Sequence, residues 1–310
     1  MSKASIVKDD MKLLQYPSHN VHHKNMQSME RMCKALQIIY EVTDSVERLH
    51  DLDYTILWLP SLWISPAKLP GVKILFGPHH WVFPSGDILG APNEEWSSRC
   101  AYTVLSPWVA DLFSEFAEES VIPFQPLPFG IQALPHRSFI DCSLDCIVYV
   151  KNRDPNTVND VIQKVQDRGL KYEVFRYGSY QDSEYQKAIS CSKFAIWVGR
   201  HESQGFAFQE CMARNLPILL CDVCTMFDEW GCYEHLRGSK KLKATAASWW
   251  DDCCGERIED VANFDRALDK VQDQLHKYTP AAFVEANLSD ESCMRRILET
   301  LGIPQESQSQ

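Results

Sequence analysis

The chain has 310 residues, a formal net charge of −11 and 45% hydrophobic residues. This length accommodates two ordinary domains, and the apolar content excludes wholesale disorder. The acidic balance argues against nucleic acid or an anionic membrane as the main partner. Several of the 12 cysteines lie inside apolar runs, where free thiols pack as small core residues, so we expect a reducing compartment.

No segment has the pattern of a signal peptide or a membrane span. The N-terminus lacks an apolar core, and no apolar run approaches the ~20 residues that a membrane-spanning helix needs. We therefore expect a cytoplasmic protein without a transmembrane segment.

Strand-like and helix-like segments alternate through the first half of the chain. After a short apolar run at residues 12–16, apolar side chains at helical spacing predict a helix over residues 26–42. Ser106 as N-cap and Pro107 at the first position predict the start of a second helix. Runs rich in β-branched and aromatic residues predict buried strands at residues 53–60, 72–77 and 102–106.

A proline-rich segment, residues 121–137, separates this half from the second. Its proline density excludes a helix or a central strand, so we interpret it as a last short strand and an interdomain linker. The alternation then restarts, with predicted strands at residues 146–150, 172–178, 193–199 and 216–222. Strands that alternate with helices form parallel sheets covered on both faces, so the sequence predicts two doubly wound α/β domains that face each other.

The segment HESQGFAFQECMARN, residues 201–215, follows the carboxyl end of a predicted strand. Open parallel sheets bind ligands beyond that end of their strands. Gly205 opens the predicted helix, where free backbone N–H groups suit an anion such as a phosphate. This segment therefore predicts a phosphate-binding loop.

Two carboxylates flank the start of that helix. Glu202 precedes it, and Glu210 lies about one and a half turns inside it. A carboxylate accepts hydrogen bonds from two hydroxyls, so each suits the vicinal diol of a sugar or a ribose. Sugar, phosphate and ribose together predict a nucleotide-sugar ligand. The alternatives are a solvated helix residue for Glu210 and an acid placed for the helix dipole for Glu202.

The pattern E-S-x-G-x4-E-x-M-A-x2-L-P, residues 202–217, resembles the E-x7-E signature of family 4 retaining glycosyltransferases. The resemblance extends more loosely over residues 142–280. It implies the GT-B architecture, in which two Rossmann-like domains face a cleft, here with a shortened N-terminal domain. The implied parts are an acceptor-side domain (residues 1–135), a nucleotide-sugar donor domain (136–285), and a C-terminal helix with a disordered tail (286–310), the helix packing on the first domain.

The resemblance also implies individual roles on the donor side. Glu202 would bind hydroxyls of the donor sugar and Glu210 the ribose. Lys151 and Arg153, which follow a predicted strand, would neutralise the diphosphate, although the spacing of the family's basic motif is absent here. The residues that would line the remaining donor site are Ser203, Gln204, Gly205 and Phe206 around the sugar and diphosphate, and Tyr177 near the base.

Histidines on the acceptor side supply a candidate catalytic group. His79 and then His80 are the candidates, because FGPHHWVFP ends a predicted strand and the family often carries a histidine there. Trp81 and His22 are weaker candidates for contacts with the acceptor. For His79 and His80 the alternative is a loop residue bonded to the backbone, and for His22 it is a residue of a solvated loop.

A metal site is not expected. Cys221 and Cys224 have a zinc-like spacing, but Cys221 belongs to an apolar strand. Asp51 and Asp53 resemble a metal-binding D-x-D motif of another glycosyltransferase class, but they precede a strand instead of following one. The expected enzyme therefore needs no metal and no cofactor beyond its donor substrate.

The predicted function is transfer of a sugar from a nucleotide-diphosphate sugar to a hydroxyl of a glycan or other acceptor, with retention. The alternative is a catalytically inactive nucleotide-sugar binding protein of the same fold. A phosphorylase or an epimerase is a third interpretation, but the sequence has no dense basic cluster for phosphate and no evident acid–base pair.

Overall fold

The computed structural model describes residues 11–78, 99–116, 122–136, 142–226 and 242–305. The chain forms two compact units. Unit 1 comprises Met1–Gly130 and Leu288–Gln310, and unit 2 comprises Ile131–Asn287. The assignment of an acceptor side and a donor side to separate domains stays a prediction.

Unit 1 contains a parallel sheet in the order β2-β1-β3-β4-β5-β6. The order reverses between β1 and β3, which is the switch point of a doubly wound sheet. Fully buried Trp58, Phe76 and Tyr102 lie on its central strands, as the apolar runs predict. The strands are β1 (Lys12–Gln15), β2 (Ile39–Val42), β3 (Ile56–Leu59), β4 (Lys73–Phe76), β5 (Cys100–Val104) and β6 (Phe124–Pro126).

Two helices of unit 1 test the predictions made from the sequence. Helix α2 (Pro107–Phe116) begins at its predicted proline. Helix α1 (His23–Ala35) ends earlier than the predicted helix 26–42, so that prediction is wrong in its second part. Gln37 adopts φ +60°, which turns the chain, and the β-branched residues that follow pair as β2 with β1.

Unit 2 contains a second parallel sheet, in the order β11-β10-β9-β7-β8. Its switch point lies between β7 and β9. The strands are β7 (Leu144–Lys151), β8 (Tyr172–Arg176), β9 (Ser192–Gly199), β10 (Ile218–Cys221) and β11 (Gly255–Ile258). The helices are α3 (Pro155–Asp167), α4 (Asp182–Ser190), α5 (Phe206–Ala213), α6 (Phe264–Gln274) and α7 (Pro280–Leu288).

The last helix, α8 (Asp290–Thr300), belongs to unit 1 and packs against α1. Arg31 joins the two helices, because its Nε lies 3.0 Å from Asp290 Oδ2 and its Nη2 donates to Gly130 O at 2.9 Å. Ser28 Oγ donates to the same carbonyl at 2.7 Å. Burial raises the pKa of Asp290, and the Arg31 guanidinium opposes that shift.

Within the described ranges, no helix is long and apolar enough to span a bilayer. The cysteines that the structure describes are free thiols.

The close approach of Gly130 to α8 gives a test of this packing. We expect Gly130→Ala to lower the free energy of unfolding by about 2–3 kcal/mol, because the new Cβ would lie 2.6 Å from Cα of Asp290 and α8 would have to shift. Urea titration measures the loss. Gly71→Ala is the control: Gly71 has φ +85° but no atom within 4 Å of a Cβ, so only the backbone cost of about 1–2 kcal/mol applies. A smaller loss for Gly130→Ala than for Gly71→Ala would contradict the close packing.

Candidate functional site

The switch point of unit 2 brings two parts of the sequence together. Lys151, the last residue of β7, pairs in register with Gly199, the last residue of β9. The loop of residues 200–205 leaves β9 at this point and enters α5, and Arg200 N donates to Lys151 O at 2.8 Å. This is the edge of the sheet at which doubly wound folds bind ligands.

A buried ion pair occupies this edge. Lys151 Nζ lies 2.8 Å from Oε1 and 2.7 Å from Oε2 of Glu202. The two residues are only 8% and 7% exposed. Each charge compensates the other, since a lone charge at this depth would be costly. The backbone N–H of Glu202 donates to Thr245 O at 3.1 Å, which fixes the loop that carries the carboxylate.

Tyr177 covers the ammonium of this pair from the side. Lys151 Nζ lies 4.4 Å from the centre of the Tyr177 ring, within the range of a cation–π contact. The Tyr177 N–H donates to Val150 O at 2.9 Å, so its backbone is held at the end of β7. Its side chain is 55% exposed, which leaves much of the ring accessible to a ligand.

Gly205 sets the entry of the chain into α5. It has φ +78°, a left-handed conformation, and a Cβ there would lie 3.3 Å from Cβ of Glu202. The positive end of the helix dipole therefore lies close to the buried pair. Phe206, the first residue of α5, is half-buried.

Glu210 lies further along α5, in a different environment from Glu202. Its Oε2 accepts a hydrogen bond from Gln186 Nε2 on α4 at 2.8 Å. Gln186 Oε1 in turn accepts from Arg214 Nη2 at 3.2 Å. Glu210 is half-buried. It is thus oriented by a neutral amide, whereas Glu202 is held by an ammonium.

Arg153 holds the carboxyl ends of two strands. Its Nη1 donates to the carbonyl oxygens of Gly199 at 3.1 Å, Cys221 at 3.2 Å and Asp222 at 3.1 Å. These contacts hold the ends of β9 and β10 together. A role at a diphosphate stays a prediction for Arg153, as it does for Lys151.

Of the remaining predicted loop residues, Gln204 contacts a second loop, residues 242–248. Gln204 is buried, its carbonyl oxygen accepts from Ser248 Oγ, and its Nε2 donates to Gln209 Oε1 at 3.3 Å. Ser203 is half-buried. The second loop therefore holds the first one through Ser248 and Thr245.

Sequence reasoning missed the residue that orders this second loop. Asp222 is buried at the end of β10, and its carboxylate accepts from Thr245 Oγ1 at 2.6 Å and from the N–H of Ala246 at 2.6 Å. Arg257 Nε lies 2.7 Å from the same carboxylate. The sequence signalled this role only by placing an aspartate at the end of an apolar strand. The partners of Asp222 could not be found, because residues 242–248 carry no motif.

His201 is a second residue that sequence reasoning missed. It is 1% exposed and lies between Arg200 and Glu202 in the loop. Burial, with smaller contributions from Arg200 and Lys151, lowers the pKa of His201 well below its usual value. The imidazole is therefore neutral at neutral pH and adds no positive charge to the site.

The predicted acceptor-side residues fall in unit 1 or outside the described residues. His79, His80 and Trp81 lie in the range that the structure does not describe. His22 is the N-cap of α1, where its Nδ1 accepts from the N–H of Lys24 at 3.3 Å, and its ring stacks on His23. An acceptor contact by His22 stays a prediction.

Among the described residues, no group of three or more histidine, cysteine or acidic side chains is placed to hold a metal ion. Cys221 is buried and Cys224 is exposed. Asp51 and Asp53 both accept from Arg48 Nη1, at 3.3 and 2.6 Å.

No protein-family model matches the chain, and no curated protein matches its sequence. Solved structures match its fold. A glycosyltransferase from Rickettsia africae is 12% identical with a TM-score of 0.59, over 96% of this chain and 100% of that one. A sucrose-phosphate synthase from Thermosynechococcus elongatus is 10% identical with a TM-score of 0.52, over 93% and 98%. A lipopolysaccharide outer core galactosyltransferase is 9% identical with a TM-score of 0.52, over 94% and 99%.

At such low identities the likeness concerns the fold. The predicted fold class is confirmed: two parallel sheets with alternating helices form two Rossmann-like units, as in glycosyltransferases of GT-B type. Membership of family 4 stays a prediction.

The burial of the ion pair has a measurable consequence. We expect Glu202→Ala to lower the free energy of unfolding by about 3–5 kcal/mol, because it leaves the Lys151 ammonium buried without a partner. The double variant Lys151→Met/Glu202→Leu is expected to regain most of that loss, since apolar side chains replace a buried pair at little cost. Urea titration of the wild type and both variants measures the two effects.

The control is an exposed pair in the same unit. Asp269 pairs with Arg168, and their side chains are 56% and 34% exposed. Asp269→Ala is expected to cost about 1 kcal/mol or less. If Asp269→Ala and Glu202→Ala lowered the free energy of unfolding equally, burial would not make the Lys151–Glu202 pair more costly to break.

Proposed function

We propose that the protein is a glycosyltransferase that moves a sugar from a nucleoside-diphosphate sugar to an acceptor hydroxyl. The observation that carries this proposal is the Lys151–Glu202 pair, which lies at the switch point of unit 2 beside the start of α5. A cation, a carboxylate and a helix N-terminus meet there, in a fold shared with solved glycosyltransferases.

Donor binding in this proposal exchanges the partners of the ion pair. The diphosphate takes the place of the Glu202 carboxylate beside Lys151 Nζ, so the ammonium stays compensated. The released carboxylate then accepts hydrogen bonds from sugar hydroxyls. Because the pair is buried, opening it without a phosphate would leave two uncompensated charges, and this favours a ligand that carries both groups.

The rest of the donor fits around this exchange. Glu210 binds the ribose diol, with Gln186 holding its other oxygen in place. The accessible ring of Tyr177 stacks near the base. Backbone groups of residues 203–206 line the sugar and the diphosphate, at the positive end of the α5 dipole.

Chemistry in this proposal needs charge stabilisation more than proton transfer by a protein group. The bond between the anomeric carbon and the phosphate oxygen breaks, and negative charge grows on the nucleoside diphosphate. Lys151 and the α5 N-terminus stabilise that charge without a metal ion. The acceptor oxygen bonds to the anomeric carbon on the same face, which gives retention, and its proton passes to the departing phosphate. His79 positions the sugar or the acceptor.

A binding protein without transferase activity is the second candidate. The charge of Lys151 is already compensated by Glu202, and Arg153 Nη1 is engaged by three carbonyls. Such a site could hold a nucleotide-sugar and yet stabilise the leaving group too weakly for transfer. Release of nucleoside diphosphate distinguishes the two functions.

The two glutamates are expected to respond differently to substitution. Glu210→Ala should weaken binding of both nucleoside diphosphate and nucleotide-sugar about tenfold or more, since it removes a charged hydrogen-bond acceptor. Glu202→Gln should not weaken binding of nucleoside diphosphate, which no longer has to displace a carboxylate from Lys151. It should weaken binding of the nucleotide-sugar relative to nucleoside diphosphate and should slow transfer. Thermal shift and calorimetry with a panel of nucleotide-sugars measure binding, and release of nucleoside diphosphate measures transfer.

Glu299→Ala is the matched control, because Glu299 is an exposed glutamate on α8 of unit 1. It should behave as the wild type. Wild-type behaviour of both Glu202→Gln and Glu210→Ala would mean that these carboxylates do not bind the donor. A nucleotide-sugar that stabilises the protein but releases no nucleoside diphosphate, even with glycan and other hydroxyl acceptors present, would favour the binding protein.

A further inference from the structure

Strand β2 of unit 1 and the segment that follows it contain four exposed large apolar side chains. Ile39, Val42, Val46 and Leu52 are 44%, 43%, 52% and 43% exposed and lie within one short segment. Elsewhere in the described part of the chain, the large apolar side chains with such exposure are Val174 and Tyr177. Exposed apolar side chains on an edge strand mark a place where another chain can add to the sheet.

The backbone of β2 offers hydrogen-bonding groups along the same edge. In the described part of the sheet, β2 has β1 as its neighbour and stands at the end of the strand order. The N–H group of Ile39 donates to Met11 O, just before β1, and that of Thr43 donates to Gln15 O at the end of β1. Because successive residues of a strand alternate, the N–H groups of Tyr40 and Val42 point away from β1, toward the outer edge.

The two exposed side chains of β2 itself indicate the shape of what covers them. Ile39 and Val42 are three positions apart, so they lie on opposite faces of the sheet. A helix laid on one face would leave the other side chain exposed. A strand added along the edge has side chains on both faces, so it covers both residues and also accepts the outward N–H groups.

The charge around this edge indicates the chemistry of that strand. Residues 39–53 contain five carboxylates and one arginine. Arg48 and Lys12 pair with Glu41 and Asp53, and Arg48 also pairs with Asp51, so the edge keeps an acidic surplus. A second copy of this chain would bring the same surplus and be repelled. A cationic partner is attracted.

We propose that β2 is a docking site for an extended, cationic segment of another protein, which adds as a strand to the sheet of unit 1. In that segment, two apolar residues stand three positions apart, so that one lies on each face of the sheet, and lysine or arginine fills the positions around them. The apolar residues cover Ile39 and Val42, and the basic ones meet the carboxylates that flank the strand.

The test uses a labelled synthetic peptide in which two valines stand three positions apart among lysines, and a second peptide of the same sequence with N-methyl groups on alternate residues. Both have the same charge, but the second one cannot complete a ladder with β2. We expect the unmodified peptide to bind about tenfold or more tightly, since several backbone hydrogen bonds depend on the edge. Hydrogen exchange should show that it protects the amides of Tyr40 and Val42.

A matched pair of proline variants locates the site. Val42→Pro removes an outward N–H of β2 and leaves the bonds to β1 in place, so the preference for the unmodified peptide should disappear. Val174→Pro does the same on β8, the edge strand of unit 2, where Val174 is also exposed, and should leave the preference unchanged. Equal binding of the two peptides to the wild type, or unprotected amides at Tyr40 and Val42, would overturn the proposal even if Val42→Pro failed to fold.

Discussion

The arrangement of the candidate site in unit 2 depends on one buried ion pair, Lys151–Glu202. Strand pairing places Lys151 at the end of β7 and aligns it with the end of β9, so the carboxylate in the following loop can reach it. Because the pair is buried, removal of either partner alone leaves an uncompensated charge and is costly. The loop is therefore held in position by electrostatics as well as by its backbone bond to Thr245. The neighbouring Asp222 network orders the loop that carries Thr245.

The two glutamates of the E-x7-E pattern thus have unequal surroundings. Glu202 shares its charge with an ammonium, whereas Glu210 is held by the amide of Gln186. A ligand that binds Glu202 must also replace it as the partner of the Lys151 ammonium. A ligand that binds Glu210 does not have to replace a partner of that ammonium. The switch point of unit 1 differs again, because β1 ends in the buried neutral Gln15, whose amide bonds to Pro17 O and to Tyr40. The switch point of unit 2 therefore holds a charged pair, whereas that of unit 1 holds a neutral amide.

Local patterns in the sequence predicted much of the fold and part of the site. Continuous β-branched and aromatic runs predicted buried strands, and Pro107 predicted the start of α2. Helical spacing failed beyond Ala35, since Ile39–Val42 pair with β1 as strand β2, a tertiary contact that spacing does not report. The Lys151–Glu202 contact was not predicted either, because it joins residues 51 positions apart through the register of β7 and β9. Asp222 was missed for the same reason: its partners lie in a loop without a motif.

The most direct test of this account is a crystal structure of the protein with a bound nucleoside diphosphate. The account predicts that the diphosphate lies at the N-terminus of α5, with Lys151 Nζ within hydrogen-bond distance of a phosphate oxygen and Glu202 displaced from it. The ribose should contact Glu210. A ligand bound elsewhere, or an ion pair between Lys151 and Glu202 that stays intact beside a bound diphosphate, would contradict the exchange on which the proposed donor site rests.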